Sequence, residues 1–250
     1  MPTHAIPFRQ TSPIRSIHRH FDLRVIGIGF SSFFIFVVVF VDALVQPRAS
    51  YDLRLMQTVQ NINVPLRDAV LPRVENLTDS RGAVFAWFCV LAAFVIVRHW
   101  NWALVVALVP AGGVVNHLFG TIVTRARPHA EELLRTSLNP EERSFPSGHV
   151  MGAVMLYGLV IVAVGELRQP AIRALIRGGC LAIIAISGFQ RLWVGAHWPS
   201  DVIGGYALGG VLLACLLICR AYLDSDAGLQ GWQVWSERLH RAIGFRLLRH

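Results

Sequence analysis

Three short polar clusters interrupt an otherwise apolar chain: Arg125-Ala126-Arg127-Pro128, then Ser144-Phe145-Pro146-Ser147-Gly148-His149, then the stretch from Arg191 through His197 to Asp201. Their residue types suit an oxyanion. Guanidinium groups are planar forks matched to phosphate oxygens, and Ser147-Gly148 at a helix start offers a hydroxyl and backbone N–H donors to negative charge. His197 and Asp201 are four residues apart, a spacing that lets a carboxylate hold one imidazole nitrogen and leave the other free as nucleophile or base. His149 is a second imidazole, available as an acid. Two histidines, an orienting carboxylate and an arginine clamp are the parts of phosphoryl transfer through a phosphohistidine intermediate.

The elements that must bring these groups together are read from composition. Of 250 residues 54% are hydrophobic and 15% charged, with mean hydropathy +0.51. A soluble domain carries roughly a quarter charged residues, so the bilayer is the main solvent. The apolar runs predict an all-α, polytopic membrane protein: a bundle of six transmembrane helices at about 25–45, 82–97, 102–124, 150–165, 176–194 and 202–219. After the first helix, Leu53, Met56, Val59, Ile62, Leu66, Val70 and Leu77 recur at steps of three, four or seven, predicting an amphipathic segment on or near the membrane, broken by Pro65 and Pro72. The chain then divides into a basic cytoplasmic tail (1–24), a six-helix membrane domain (25–222) and an amphipathic cytoplasmic tail (223–250). In a bundle of hairpins the three polar clusters fall at one membrane face.

The net charge of +8 comes from 23 basic residues, every one an arginine. In so apolar a chain this excess is expected to meet anionic lipid at the two tails and to set topology, with no nucleic-acid partner. With the amino terminus inside, 13 of the 23 arginines fall on the inner side, which favours both termini in the cytoplasm. The three clusters then face the outside or periplasm of a cell membrane. Cys89, Cys180, Cys215 and Cys219 all lie within apolar runs and are expected to be small core residues rather than disulfides or metal ligands. Asp42, near the end of the first span, is expected to be an interfacial carboxylate.

The order Arg-Pro, Pro-Ser-Gly-His and Arg-x5-His-x3-Asp resembles the three-part signature of the type-2 phosphatidic acid phosphatase superfamily, which are membrane lipid-phosphate phosphatases. The resemblance implies that His197 attacks phosphorus, Asp201 orients His197, His149 protonates the leaving oxygen, and Arg127, Arg191, Ser147 and Gly148 hold the phosphate. It also implies a reaction with no metal or other cofactor. Two positions depart from the pattern. Gly120 stands where the family usually has a lysine, and Gln190 where a serine often precedes the arginine. Arg125, or His117 one turn earlier, is expected to supply the missing charge. The expected substrate is a membrane lipid phosphate or diphosphate, with polyprenyl diphosphate, phosphatidate and phosphatidylglycerophosphate equally compatible and the small size and outward site favouring the polyprenyl carrier. Phosphatase action on a phosphorylated glycolipid, phosphate transfer to a lipid acceptor, and a non-catalytic anionic-headgroup binder or transporter are alternatives. Vanadium-dependent haloperoxidases share the constellation, but resemble soluble enzymes. The residues carry no signal for an oligomeric state.

Overall fold

Apolar runs in lipid fold as helices because each segment must satisfy its own backbone N–H and C=O groups. The computed structural model describes residues 23–46, 50–63, 67–129, 131, 133–136 and 143–225. The expected tails lie outside the described residues, apart from 23–24 and 223–225. The order is α1 (Leu23–Val45), α2 (Ser50–Gln60), α3 (Arg67–Thr78), α4 (Ser80–Ile96), α5 (Trp100–Ala107), α6 (Ala111–Ile122), α7 (Gly148–Ala163), a 3-10 turn (Val164–Glu166), α8 (Pro170–Trp193) and α9 (Pro199–Leu223). Extended pairing among the described residues is limited to one antiparallel bridge, Ala126 with Arg143.

Among the described residues, five segments are long and apolar enough to cross a membrane: α1, α5 with α6, α7 with its 3-10 turn, α8 and α9. A sixth crossing requires the end of α3 together with α4, which meet at a bend of 67°. The expected span at 82–97 differs in this respect, because α4 has 17 residues, short of the roughly 20 a bilayer needs. The third span is continuous in composition but pinched at 108–110, where Leu108 and Val109 donate to carbonyls three residues back at 3.3 and 3.1 Å. Pro110 follows, lacking the N–H that an unbroken helix would use. Pro72, expected to break the amphipathic segment, instead lies inside α3; burial of Leu71 and Val74 on either side holds the turn whose hydrogen bond proline removes.

Half of the span residues of α7 and α9 are buried, against 11% in α1 and 17% in α8, so α7 and α9 form the centre. α9 packs on α1 and α7, and α7 on α8. Large apolar side chains such as Phe30, Phe34 and Leu175 point outward, 70–76% exposed, which suits lipid contact. The central seam is close. A Cβ at Gly204 would lie 2.6 Å from the Phe145 ring, and one at Gly205 would lie 2.6 Å from the Ser147 carbonyl oxygen. Phe145 is held on its other side by Phe36, which meets Phe119 edge-on at 4.8 Å. The four cysteines are free. Cys180 is buried as expected, whereas Cys89 and Cys215 are exposed among the outward-facing residues.

The amphipathic segment does more than lie beside the bundle. Met56 is fully buried against Leu53, Leu133 and Leu192. The Gln60 side chain accepts from the Leu134 and Arg135 N–H groups at 3.0 and 3.2 Å and donates to the Arg135 carbonyl at 2.8 Å. Helix α2 therefore pins the α6–α7 connection over the α8–α9 loop. There Gly195 has φ +76°, and a Cβ on it would sit 2.2 Å from the Arg135 carbonyl oxygen, so both the backbone angle and the contact require glycine. Asp42, as expected of an interfacial carboxylate, is partly exposed and accepts from the Tyr51 hydroxyl of α2.

Candidate active site

The start of α7, the end of α8 and the start of α9 share one end of the bundle, and backbone bonds tie the three polar clusters together there. Ser144 N–H donates to the Arg125 carbonyl at 2.9 Å, Ser147 N–H to the Asp201 carbonyl at 3.0 Å, and the Trp198 indole N–H to the Ala126 carbonyl at 3.0 Å.

His197 is buried, and its Nδ1 lies 2.8 Å from the Ser144 carbonyl oxygen. A carbonyl can only accept, so Nδ1 carries the proton and Nε2 the lone pair. Nε2 is buried with no hydrogen-bond partner among the described residues. Burial, then the positive charge of Arg127, then His149 push the His197 imidazole well below its ordinary value, which keeps it neutral at pH 7. The His149 ring is 6.5 Å away, centre to centre.

Asp201 does not hold the imidazole directly, as the four-residue spacing predicts. Its Oδ2 is 3.9 Å from Nδ1, too long for a hydrogen bond. Asp201 instead accepts from the Ser144 hydroxyl, from Trp198 N–H at 2.9 Å and from Arg125 Nη1 at 2.8 Å. It thereby fixes the segment whose carbonyl holds the ring.

Arg125 also stands apart from its expected place on the phosphate. Its side chain has no exposure, and its guanidinium is committed to Asp201, to Ser200 Oγ at 2.6 Å and to Asp52 of α2. Asp52, fully buried, in turn accepts from Ser200 N–H at 2.9 Å and from the Ser200 hydroxyl at 2.6 Å. This lattice closes off the far side of the Asp201 carboxylate. His117 is exposed on α6 and does not line the pocket either.

In front of His197 lies a pocket of about 330 Å³ lined by Arg127, Gly148, His149 and His197, together with Thr78, Asp79, Ala83, Asn116, Arg143 and Pro146. Four of the eight anticipated residues thus share one cavity. Ser147 is just outside its lining, with a fully buried hydroxyl that has no hydrogen-bond partner among the described residues. Arg191 is 5% exposed and close enough to His197 for its charge to act on the imidazole. Its Nε donates to Gln190 Oε1, so the glutamine at the departing position braces the arginine. Among the described residues no three or more His, Cys, Asp or Glu side chains converge so as to hold a metal ion.

Asp52, Asn116 and Arg143 were not singled out by sequence. Arg143 directly precedes Ser144, and Asn116 is a polar residue inside an apolar run, so both carried a local signal. Asn116 Nδ2 donates to the Pro146 carbonyl at 3.0 Å, holding the turn before His149.

Comparison with known proteins finds relatives that are named phosphatases. Undecaprenyl-diphosphatase BcrC of Bacillus subtilis is 29% identical over 103 residues, covering 41% of this chain and 49% of the relative. A lipid A 1-phosphatase of Rhizobium etli is 33% identical over 146 residues, covering 53% of this chain and 57% of the relative. The chain therefore matches about half the length of these relatives. The crystal structure of a transmembrane PAP2-type phosphatidylglycerolphosphate phosphatase from Bacillus subtilis superposes with a TM-score of 0.61 at 20% identity, covering 75% of this chain and 93% of that one; at that identity the likeness is one of fold. The profile of the PAP2 superfamily matches residues 98–224, the segment that carries all three polar clusters, and the chain belongs to that superfamily.

Proposed function

We propose that this multi-pass membrane protein is a lipid-phosphate phosphatase that works through a phosphohistidine on His197. The observation that carries the reading is the state of His197. Its Nδ1 is tied to the Ser144 carbonyl and its Nε2 is buried without a hydrogen-bond partner among the described residues, in a pocket it shares with His149 and Arg127. In the first step Nε2 attacks phosphorus, the bond from phosphorus to the lipid oxygen breaks, and His149 gives that oxygen a proton. In the second, His149 takes a proton from water, the water oxygen attacks phosphorus, and the N–P bond breaks to release inorganic phosphate. Arg127 and the Gly148 N–H at the start of α7 stabilise the charge on the non-bridging oxygens, with Arg191 acting from behind His197.

The substrate is a membrane lipid phosphate or diphosphate. Relatives and a fold neighbour named for undecaprenyl diphosphate, lipid A 1-phosphate and phosphatidylglycerolphosphate mark the range. A pocket of about 330 Å³ accommodates a phosphorylated headgroup and leaves the hydrocarbon chains in lipid. The positive-inside count favours a site on the outer face, and with it recycling of a polyprenyl carrier.

The test is phosphate release by purified protein in detergent, without added metal, across polyprenyl diphosphate, phosphatidate, phosphatidylglycerophosphate and a lipid A phosphate. Release from at least one, abolished in His197→Ala, is expected. Orthovanadate binding with no release from any of them would make the protein a headgroup binder.

A further inference from the structure

We propose that Arg143 is a phosphate-binding residue that supplies, from beside Gly120, the cation absent at that position; this rests on the phosphatase reading above. Three observations converge. Arg143 lines the same pocket as Arg127, His149 and His197. Its backbone is fixed, because the Ala126–Arg143 bridge and the Ser144 N–H bond to the Arg125 carbonyl set it beside the chain that carries Arg127. Its stem also lies over Gly120: a Cβ built there would be 3.7 Å from Arg143 Cδ and 3.9 Å from Arg143 Cβ. A Cβ at 120 would therefore make ordinary contact with the Arg143 stem, and a longer side chain there would run alongside it.

The electrostatics give the arrangement a purpose. Among the described residues no carboxylate pairs with the Arg143 guanidinium. Asp79, the acid in the pocket lining, caps α4 by accepting from Gly82 N–H at 2.7 Å. Arg127 and Arg143 border one cavity beside a neutral His197, so an anion with several acceptor oxygens can bridge the two arginines. A phosphate monoester or the terminal group of a diphosphate has that charge and that many oxygens. Arg143 is the more exposed of the two, so it meets the phosphate from the mouth while Arg127 meets it from within.

The experiment reads the pocket in two ways, orthovanadate binding by calorimetry and phosphate release, for the full chain in detergent. Arg143→Ala is expected to weaken vanadate binding and lower kcat/KM by about ten- to a hundredfold. Gly120→Lys in the Arg143→Ala background should restore most of both, because a lysine beside the vacated stem brings back a cation to the same part of the pocket. Gly120→Lys alone should bring no gain, because Arg143 already supplies the cation. Vanadate binding unchanged in Arg143→Ala overturns the proposal, as does a loss that Gly120→Lys fails to restore. A wild-type protein that binds vanadate but hydrolyses no lipid phosphate defeats the phosphatase reading instead, and leaves the binding arm to judge Arg143.

Discussion

Arg125 and Arg127 are separated by one alanine, yet they belong to regions with opposite physics. Arg125 sits without exposure in a dry lattice with Asp52, Asp201, Ser144 and Ser200, whereas Arg127 faces an open cavity with both histidines. A fully buried ion network gains little net stability over an apolar core of the same shape, but losing one member strands the other charges. Its contribution is fixed geometry. The cavity is the reverse: its arginines border an open space shared with both histidines, where an arriving anion can reach them. Mutations in the two regions should therefore separate into losses of stability and losses of activity.

The largest effect is expected on the cavity side. His197→Ala should lower turnover on the order of 10⁴-fold or more, as for other nucleophiles, and abolish covalent labelling by a substrate with radioactive phosphate. Label that survives in this variant would remove His197 from the nucleophile's role. On the lattice side, Asp52→Ala leaves Arg125 with one carboxylate fewer and should cost about 3–5 kcal/mol, read as a fall in the thermal unfolding midpoint in detergent. A variant as stable as the wild type would erase the distinction drawn above.

Arg127→Ala and Arg125→Ala form the sharpest pair. The first should lose about 1.5–3 kcal/mol of binding or transition-state stabilisation, roughly ten- to a hundredfold in kcat/KM, with an unchanged midpoint; the second should lower the midpoint. The opposite pattern would exchange the two assignments. The smallest effect is on pH dependence. Because burial and then Arg127 hold the His197 imidazole well below its ordinary value, the acid limb of kcat/KM should lie below pH ~6.5. Removing the Arg127 charge favours the imidazolium, raises the folded value and moves that limb to higher pH. For stability the sign is the same as for any depressed histidine: the unfolded chain takes up a proton near pH ~6.5 and the folded one resists, so this group's contribution falls as pH drops through that value. A limb that stays in place in Arg127→Ala would mean that the arginine does not act on His197.

The cavity was legible in the sequence because its parts are local: Gly148 and His149 adjoin at one helix start, and His197 stands two residues before another. The lattice was not. Asp52 meets Arg125 across 73 residues, and on a helix patterned for a membrane surface an acidic residue reads as solvated, so nothing in the periodicity marks it as buried. The spacing of His197 and Asp201 suggested a direct contact, whereas the ring's partner is a backbone carbonyl, which no side-chain pattern encodes. The bend within the sixth crossing was not legible for a similar reason. Composition counts apolar residues, whereas the bend between α3 and α4 depends on where Asp79 caps the next helix.

Gly204 and Gly205 carry a further consequence. They let α9 rest directly on Phe145 and on the Ser147 carbonyl, so the seam joining the helix that bears His149 to the one that follows His197 is set by main chain and a rigid ring, not by flexible side chains that could exchange rotamers. The outward surfaces of α1 and α8 can then accumulate substitutions under lipid drift without disturbing the reactive spacing. A single methyl group at 205, one turn beyond Asp201 and invisible to any comparison of the histidines and arginines, would have to push the two helices apart. In this chain the precision of the chemistry is stored in what those two residues lack.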